Sequence, residues 1–269
     1  MCTPEHFDVV DVKNPHMEGN IGRVDRARAQ AQWHELRAVF TRLGREVLTI
    51  EGRPDLEDMV FSANQTLPGV LADGRPYVVL SHMRHESRRR EVPYFRDWFT
   101  KRGYEIRELG PEAGYFEGQG DAIWHPGKQL LWGGHGPRTS YRAYAELSAL
   151  LEVPVIELEL VLDGFYHLDT CFCALSKDSA LVYPAAFDAE SLALLHALFP
   201  RLIEVEEREA LECFACNAHC LDERTVVLQR GADRTIAALR AKGFETIEVE
   251  TGEFLKSGGS VFCLKLMVY

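Results

Sequence analysis

The chain has 269 residues, of which 46% are hydrophobic and 26% charged, and it carries a net charge of −11. That balance is ordinary for a globular protein with an ample core, and it excludes the broad basic face that nucleic-acid binding requires. The seven cysteines are odd in number and do not form the even, closely spaced framework of a small secreted domain.

The first segment, FDVVDV, alternates apolar and polar residues like a strand. RARAQAQWHELRAVFTRLG follows and predicts a helix, with Ala31, Leu36, Val39, Phe40 and Leu43 near helical spacing and Gly44 placed as its C-terminal cap. From there one pattern recurs five times: a short amphipathic helix, a Gly or Pro turn, an extended strand, then a loop of unusual residues. The helix-to-strand pieces are LRAVFTRLGREVLTIE, FRDWFTKRGYEIREL, YAELSALLEVPVIELEL, LALLHALFPRLIEVE and TIAALRAKGFETIEVE. The loops that follow are MVFSANQ, YFEGQGDA, FYHLDTCFC, CFACNAHC and GGSVFCL. Four of them run into a second apolar strand: YVVLS, QLLWGG, SALVYP and TVVLQR. Such a spacing is typical of repeat and propeller-like architectures. Each unit alone would leave its apolar faces bare, so residues 1–269 are expected to form one domain. The last segment, CLKLMVY, also reads as a strand, and ring symmetry would set the first strand beside the last. No basic-then-apolar leader and no apolar run near about 18 residues is visible, so a reducing cytoplasm is the expected location, with no membrane partner.

Equivalent loops in a ring point at one axis, which would gather Asn64, Glu117, Asp121, His167, Asp169 and Cys263. Cys263 follows Gly258, Gly259 and Ser260, and a thiol beyond such a turn can be held at a cavity mouth; the plainer reading is a buried small hydrophobe. His167 and Asp169, two apart in an extended segment, would share a face and serve as acid/base and ligand anchor, or as a core histidine with its ion pair. Glu117 and Asp121 bracket Gly118, Gln119 and Gly120, as two acids able to converge on one cation or as solvated turn residues. Asn64 offers an amide that donates as well as accepts, or a plain turn residue. Cys213, Cys216, His219 and Cys220 invite a zinc reading, but they fall within one short segment whose alternation would split them between faces.

FEGQGDA, HLDT and GGSVFCL resemble the guanidine-modifying enzymes of the pentein fold, which include arginine deiminases, dimethylargininases, amidinotransferases and arginine dihydrolases. The resemblance spans MCTPEHFDVVDVKNPHMEGN through DMVFSANQ to EFLKSGGSVFCLKL and is nearest to the arginine dihydrolase domain. It implies a pentein-type α/β propeller of five pseudo-symmetric ββαβ-like repeats around a central active site. It further implies Cys263 as nucleophile, His167 as general acid/base, Glu117 as the acid that orients it, Asp169 as a grip on guanidinium nitrogens and Asp121 as support for the cluster. Deiminases that stop at citrulline carry Asp where this chain has Asn64, so hydrolysis of arginine to ornithine, two ammonia and carbon dioxide is the expected reaction. The α-carboxylate of such a substrate needs a cation; Arg88 is preferred and Arg138, in GPRTS, is the other candidate. No metal or organic cofactor is expected, and a homo-oligomer is compatible with this reading. Deiminase, dimethylargininase and amidinotransferase activities are the alternatives, and a silent guanidine- or zinc-binding protein is the rival from another class.

Overall fold

In the computed structural model, which describes residues 1–269, helix α1 (Arg26–Arg42) is capped by Asp25, whose side chain accepts from the Arg28 N–H. Trp33, Leu36, Val39 and Phe40 form its buried face, and Gly44 follows at φ +77°, the left-handed conformation that ends a helix. Four units of one design come next. The first comprises β1 (Thr66–Val70), β2 (Pro76–Leu80), helix α2 (Val92–Thr100) and β3 (Glu105–Arg107). The second comprises β4 (Ala122–Trp124), β5 (Leu131–His135), α3 (Arg142–Leu151) and β6 (Val155–Glu159). The third comprises β7 (Phe172–Ser176), β8 (Ser179–Val182), α4 (Ala189–Leu198) and β9 (Arg201–Glu204), and the fourth β10 (His219–Cys220), β11 (Thr225–Gln229), α5 (Asp233–Ala241) and β12 (Glu245–Val249).

Each unit builds a separate three-stranded sheet with the second strand in the middle. The first pair is antiparallel and the second parallel, as in Thr66↔Leu80 and Tyr77↔Glu105, Ala122↔Gly133 and Leu131↔Val155, Phe172↔Val182 and Ser179↔Arg201, and His219↔Val227 and Thr225↔Glu245. The middle strands are nearly continuous apolar runs because they are covered on both faces. The functional loops lie before the first strand of each unit and beyond the third strand of the preceding one. They therefore sit at the carboxyl ends of the parallel strands, where α/β proteins place ligands.

The fifth unit differs from the sequence expectation. FDVVDV is not a strand, nor is CLKLMVY. Instead Met1–Thr3 runs parallel to Leu48–Ile50: the Met1 amine donates to Leu48 O, Ile50 N to Met1 O and Thr3 N to Ile50 O, with one bridge, Cys2↔Ile50. Leu266 and Val268 pack on the same cluster as Cys2 and Ile50. The alternation of FDVVDV has a different use: Phe7 and Val9 are buried while Val10 and Val12 stand exposed, and the segment leads into a loop over the site. The fold is mixed α/β, and no helix is long and apolar enough to cross a membrane.

Candidate functional site

The five loops carry the side chains named above into one buried neighbourhood. Glu117 precedes a single helical turn, Gly118–Asp121. Gly118 has φ +59°, and a Cβ there would lie 2.6 Å from Thr66 O and 2.7 Å from Asn64 O; a Cβ on Gly120 would lie 2.3 Å from Asn64 Nδ2. These two glycines let the second loop press against the first. His167 stands at the start of another turn, Leu168–Cys171. The expected strand geometry for His167 and Asp169 is therefore wrong: His167 caps the turn and Asp169 lies within it, so they reach different partners.

His167 Nε2 lies 2.7 Å from Glu117 Oε2. Since a carboxylate only accepts, Nε2 carries the proton and the Nδ1 lone pair is left to face Asn64 Nδ2 at 3.4 Å. Asn64 is oriented from its other side, because Arg88 Nη1, which can only donate, meets Asn64 Oδ1 at 2.9 Å. Glu117 also accepts from Arg138 Nη1 at 3.1 Å and from the Arg84 N–H at 2.9 Å. Burial alone would raise its carboxyl, but Arg138 and the bonded His167 hold it well below the usual carboxylate range. Burial drives His167 down to about 4 despite Glu117, so the ring is neutral at pH 7. Asp121 accepts from Thr139 Oγ1 at 2.6 Å and from the Leu168 N–H at 2.9 Å, supporting the turn that carries His167.

Cys263 is 3% exposed. Its Sγ donates to Asp169 Oδ2 at 3.2 Å, and burial together with that carboxylate pushes the thiol well above its ordinary value. Burial raises Asp169 to about 7, against the pull of the Cys263 hydrogen bond, and Asp169 Oδ1 has no partner. Asn217, from the fourth loop, holds this pair together. Its Nδ2 donates to Cys263 Sγ at 3.1 Å and to Asp169 O at 2.8 Å, and its Oδ1 accepts from the Ser260 N–H at 3.0 Å and the Cys263 N–H at 3.3 Å. Asn217 stands outside the residues that the sequence singles out; its one signal is that it is the single amide inside a cysteine-rich loop. The zinc candidates in that loop do not converge, since no group of His, Cys, Asp or Glu is arranged to hold a metal.

The two arginines proposed for a substrate carboxylate are both heavily committed. Arg88 donates through Nε and Nη2 to Glu91, through Nη2 to Asp58 O and Phe61 O, and through Nη1 to Asn64, leaving one N–H on Nη1. Arg138 binds Glu117 and Lys13 O and lies over the Tyr166 ring at 4.7 Å. Lys13, Asn14 and Met17, from the loop after FDVVDV, close the site above Asn64, His167 and Cys263. The remaining cavity is about 20 Å³, space for about one water.

A mixed α/β chain whose loops deliver a buried thiol, a charge-locked imidazole and a spare carboxylate oxygen to one neighbourhood is of the guanidine-modifying class. Comparison with known proteins narrows this. Residues 11–268 match the family described as N,N dimethylarginine dimethylhydrolase, eukaryotic, and the chain belongs to that family. It is 40% identical, over 100% of its length, to the bifunctional arginine dihydrolase/ornithine cyclodeaminase AgrE of Nostoc sp., of which it spans 37%. It is 38% identical over 100% of its length to the N(G),N(G)-dimethylarginine dimethylaminohydrolase of Mycobacterium tuberculosis and covers 85% of it. The N-terminal domain of ArgZ, an arginine dihydrolase from the Ornithine-Ammonia Cycle in Cyanobacteria solved as a mutant bound to substrate, superposes with a TM-score of 0.91 at 38% identity, over 99% of this chain and 96% of that one.

Proposed function

We propose that this protein is an arginine dihydrolase, converting arginine and two waters to ornithine, two ammonia and carbon dioxide. The observation that carries the reading is the fixed orientation of Asn64. With Oδ1 held by Arg88, the amide N–H groups face the pocket beside His167. A carboxylate at that position would suit a cationic guanidinium and repel a neutral ureido oxygen. An amide donates to that oxygen, so citrulline is retained for a second attack.

In this reading Cys263 is the nucleophile. At rest its thiol is protonated, and a bound guanidinium, gripped by Asp169, favours the thiolate by its positive charge. The thiolate adds to the guanidinium carbon. The thiol's proton passes by way of His167 Nδ1 to one amino nitrogen, the C–N bond breaks, and ammonia leaves behind a thiouronium on Cys263. Glu117 stabilises the imidazolium that forms on the way. Neutral His167 then takes a proton from water, which attacks the same carbon, and breaking the C–S bond returns the thiol and releases citrulline. A second cycle on the ureido carbon expels the other ammonia and leaves a thiocarbamate on Cys263; water releases it as the Nδ-carbamate of ornithine, which loses carbon dioxide to give ornithine. Asp121 acts through the turn beneath His167, and Arg88, with one N–H left on Nη1, or Arg138 would meet the α-carboxylate.

The same reading treats residues 1–269 as one catalytic domain, with five pseudo-symmetric units set as a pentein-type propeller around the site and a cytoplasmic location. The test is Asn64→Asp. Wild type should release ornithine, and the variant should release citrulline with ornithine reduced at least about tenfold, the scale of one misplaced buried hydrogen-bonding group. An unchanged product ratio would refute the role given to Asn64.

A further inference from the structure

Behind the catalytic loops lies a second cavity, of about 390 Å³, a volume usual for small-molecule sites. Its lining shares no residue with the pocket around Cys263. The walls are largely apolar, with Phe40, Phe95, Trp98, Tyr104, Leu266 and Val268 among them. The polar groups come from the reverse sides of the functional loops: Ser62, two residues before Asn64; His219, two after Asn217; and Lys265, two after Cys263. Ser62 is 1% exposed and its Oγ has no partner, nor has His219 Nε2.

Lys265 decides the chemistry. The residue is 4% exposed and its amine makes no ion pair. It donates to the neutral Gln119 Oε1 at 3.1 Å and stands 3.2 Å from the centroid of the Phe262 ring. A buried amine without a counter-ion is costly, and burial lowers it to about 7. Asp169 faces the amine from the catalytic side, beyond ion-pair distance, and opposes that fall; the lining itself carries Arg45, which donates to Leu221 O, the Met1 amine, which donates to Leu48 O, and the acid Glu46. An apolar chamber with a cation, a free hydroxyl and a free imidazole nitrogen is complementary to an apolar molecule bearing one anionic group.

We propose that this cavity is a second ligand site, distinct from the catalytic pocket, that binds an apolar monocarboxylate through Lys265 and Ser62 with its hydrocarbon part among Phe95, Trp98 and Leu266. The carboxylate supplies the counter-ion that Lys265 lacks. The site does not depend on the dihydrolase reading, because its lining shares no residue with the catalytic pocket and Lys265 reaches Asp169 and Cys263 through charge alone.

Octanoate is the probe, with octan-1-ol as the neutral control. Binding is followed by Trp98 fluorescence and by calorimetry at pH 8 in two buffers of different ionisation heat. Octanoate should bind one per chain, at least tenfold more tightly than octan-1-ol, taking up close to one proton as Lys265 becomes charged. Saturating arginine should leave its affinity within about twofold. Lys265→Met should weaken octanoate at least tenfold and leave octan-1-ol unchanged, and Val268→Trp, which fills the cavity, should abolish binding of both. Absence of saturable binding to the wild-type protein, equal affinity for acid and alcohol, or displacement by arginine would each overturn the proposal. Because the wild-type comparisons stand alone, a variant that fails to fold does not rescue it.

Discussion

Asn217→Ala tests how the nucleophile is held. In the folded protein this side chain is fully buried and makes four hydrogen bonds, to Cys263 Sγ, Asp169 O, the Ser260 N–H and the Cys263 N–H. Alanine removes all four and leaves three backbone groups without that partner. At about 1 kcal/mol net for each bond, the stability loss is about 4 kcal/mol, or roughly 8 to 16 °C in Tm for a chain of this size. The effect on turnover has a separate origin. The amide is the one donor to Cys263 Sγ, and its hydrogen bond favours the thiolate. A donor to a charged acceptor contributes about 1.5–3 kcal/mol, so kcat/KM should fall roughly 10- to 100-fold. Calorimetric melting and steady-state kinetics on arginine, joined by the pH dependence of Cys263 alkylation, would measure both. The alkylation profile should move to higher pH. A variant with kcat/KM within about twofold of wild type, an unshifted alkylation profile and a Tm within about 2 °C would refute the argument.

Three further outcomes follow from the same geometry. Asp169 is raised to about 7, and only its ionised form pairs with a guanidinium; kcat/KM should therefore rise with pH through about 7, and Asp169→Asn should remove that limb as well as most activity. His167 is lowered to about 4 against 6.5 in the unfolded chain, so the unfolded state binds the extra proton between those values; its contribution is intact above about pH 6.5 and declines towards pH 4. The total is up to about 3 kcal/mol, and the difference between wild type and His167→Gln in urea melts across that window isolates it. Gly118→Ala should destabilise by about 2–4 kcal/mol through strain at positive φ and the clash with the first loop, visible as a lower urea midpoint.

Much of the site could be read from the sequence because its chemistry rests on residue type. Cys263, His167, Glu117, Asn64, Asp121 and Asp169 fall in equivalent loops, and the structure brings all six into one neighbourhood. The four ββαβ units were legible too, since an apolar middle strand and an amphipathic helix leave a periodic trace. What was missed concerns geometry that residue order does not encode. FDVVDV alternates for a reason other than strand pairing, burying Phe7 and Val9 while leaving Val10 and Val12 exposed. His167 and Asp169 looked like strand neighbours, but a turn of helix sends one to Glu117 and the other to Cys263. Asn217 is not legible because its sequence neighbours Cys213, Cys216 and Cys220 carry the visible pattern of that loop, while its own partners lie 43 to 48 positions away. The preference for Arg88 as a carboxylate ligand rested on charge alone, and charge could not reveal that Glu91, Asn64 and two backbone carbonyls occupy most of its donors.

The most direct test of the central claim is product analysis of arginine turnover, run with the wild-type protein and with Cys263→Ser as control. Ornithine with about two ammonia per arginine consumed, and a loss of at least about a thousandfold in the serine variant, is the predicted result. Citrulline with one ammonia, or turnover that survives the loss of the thiol, would contradict it.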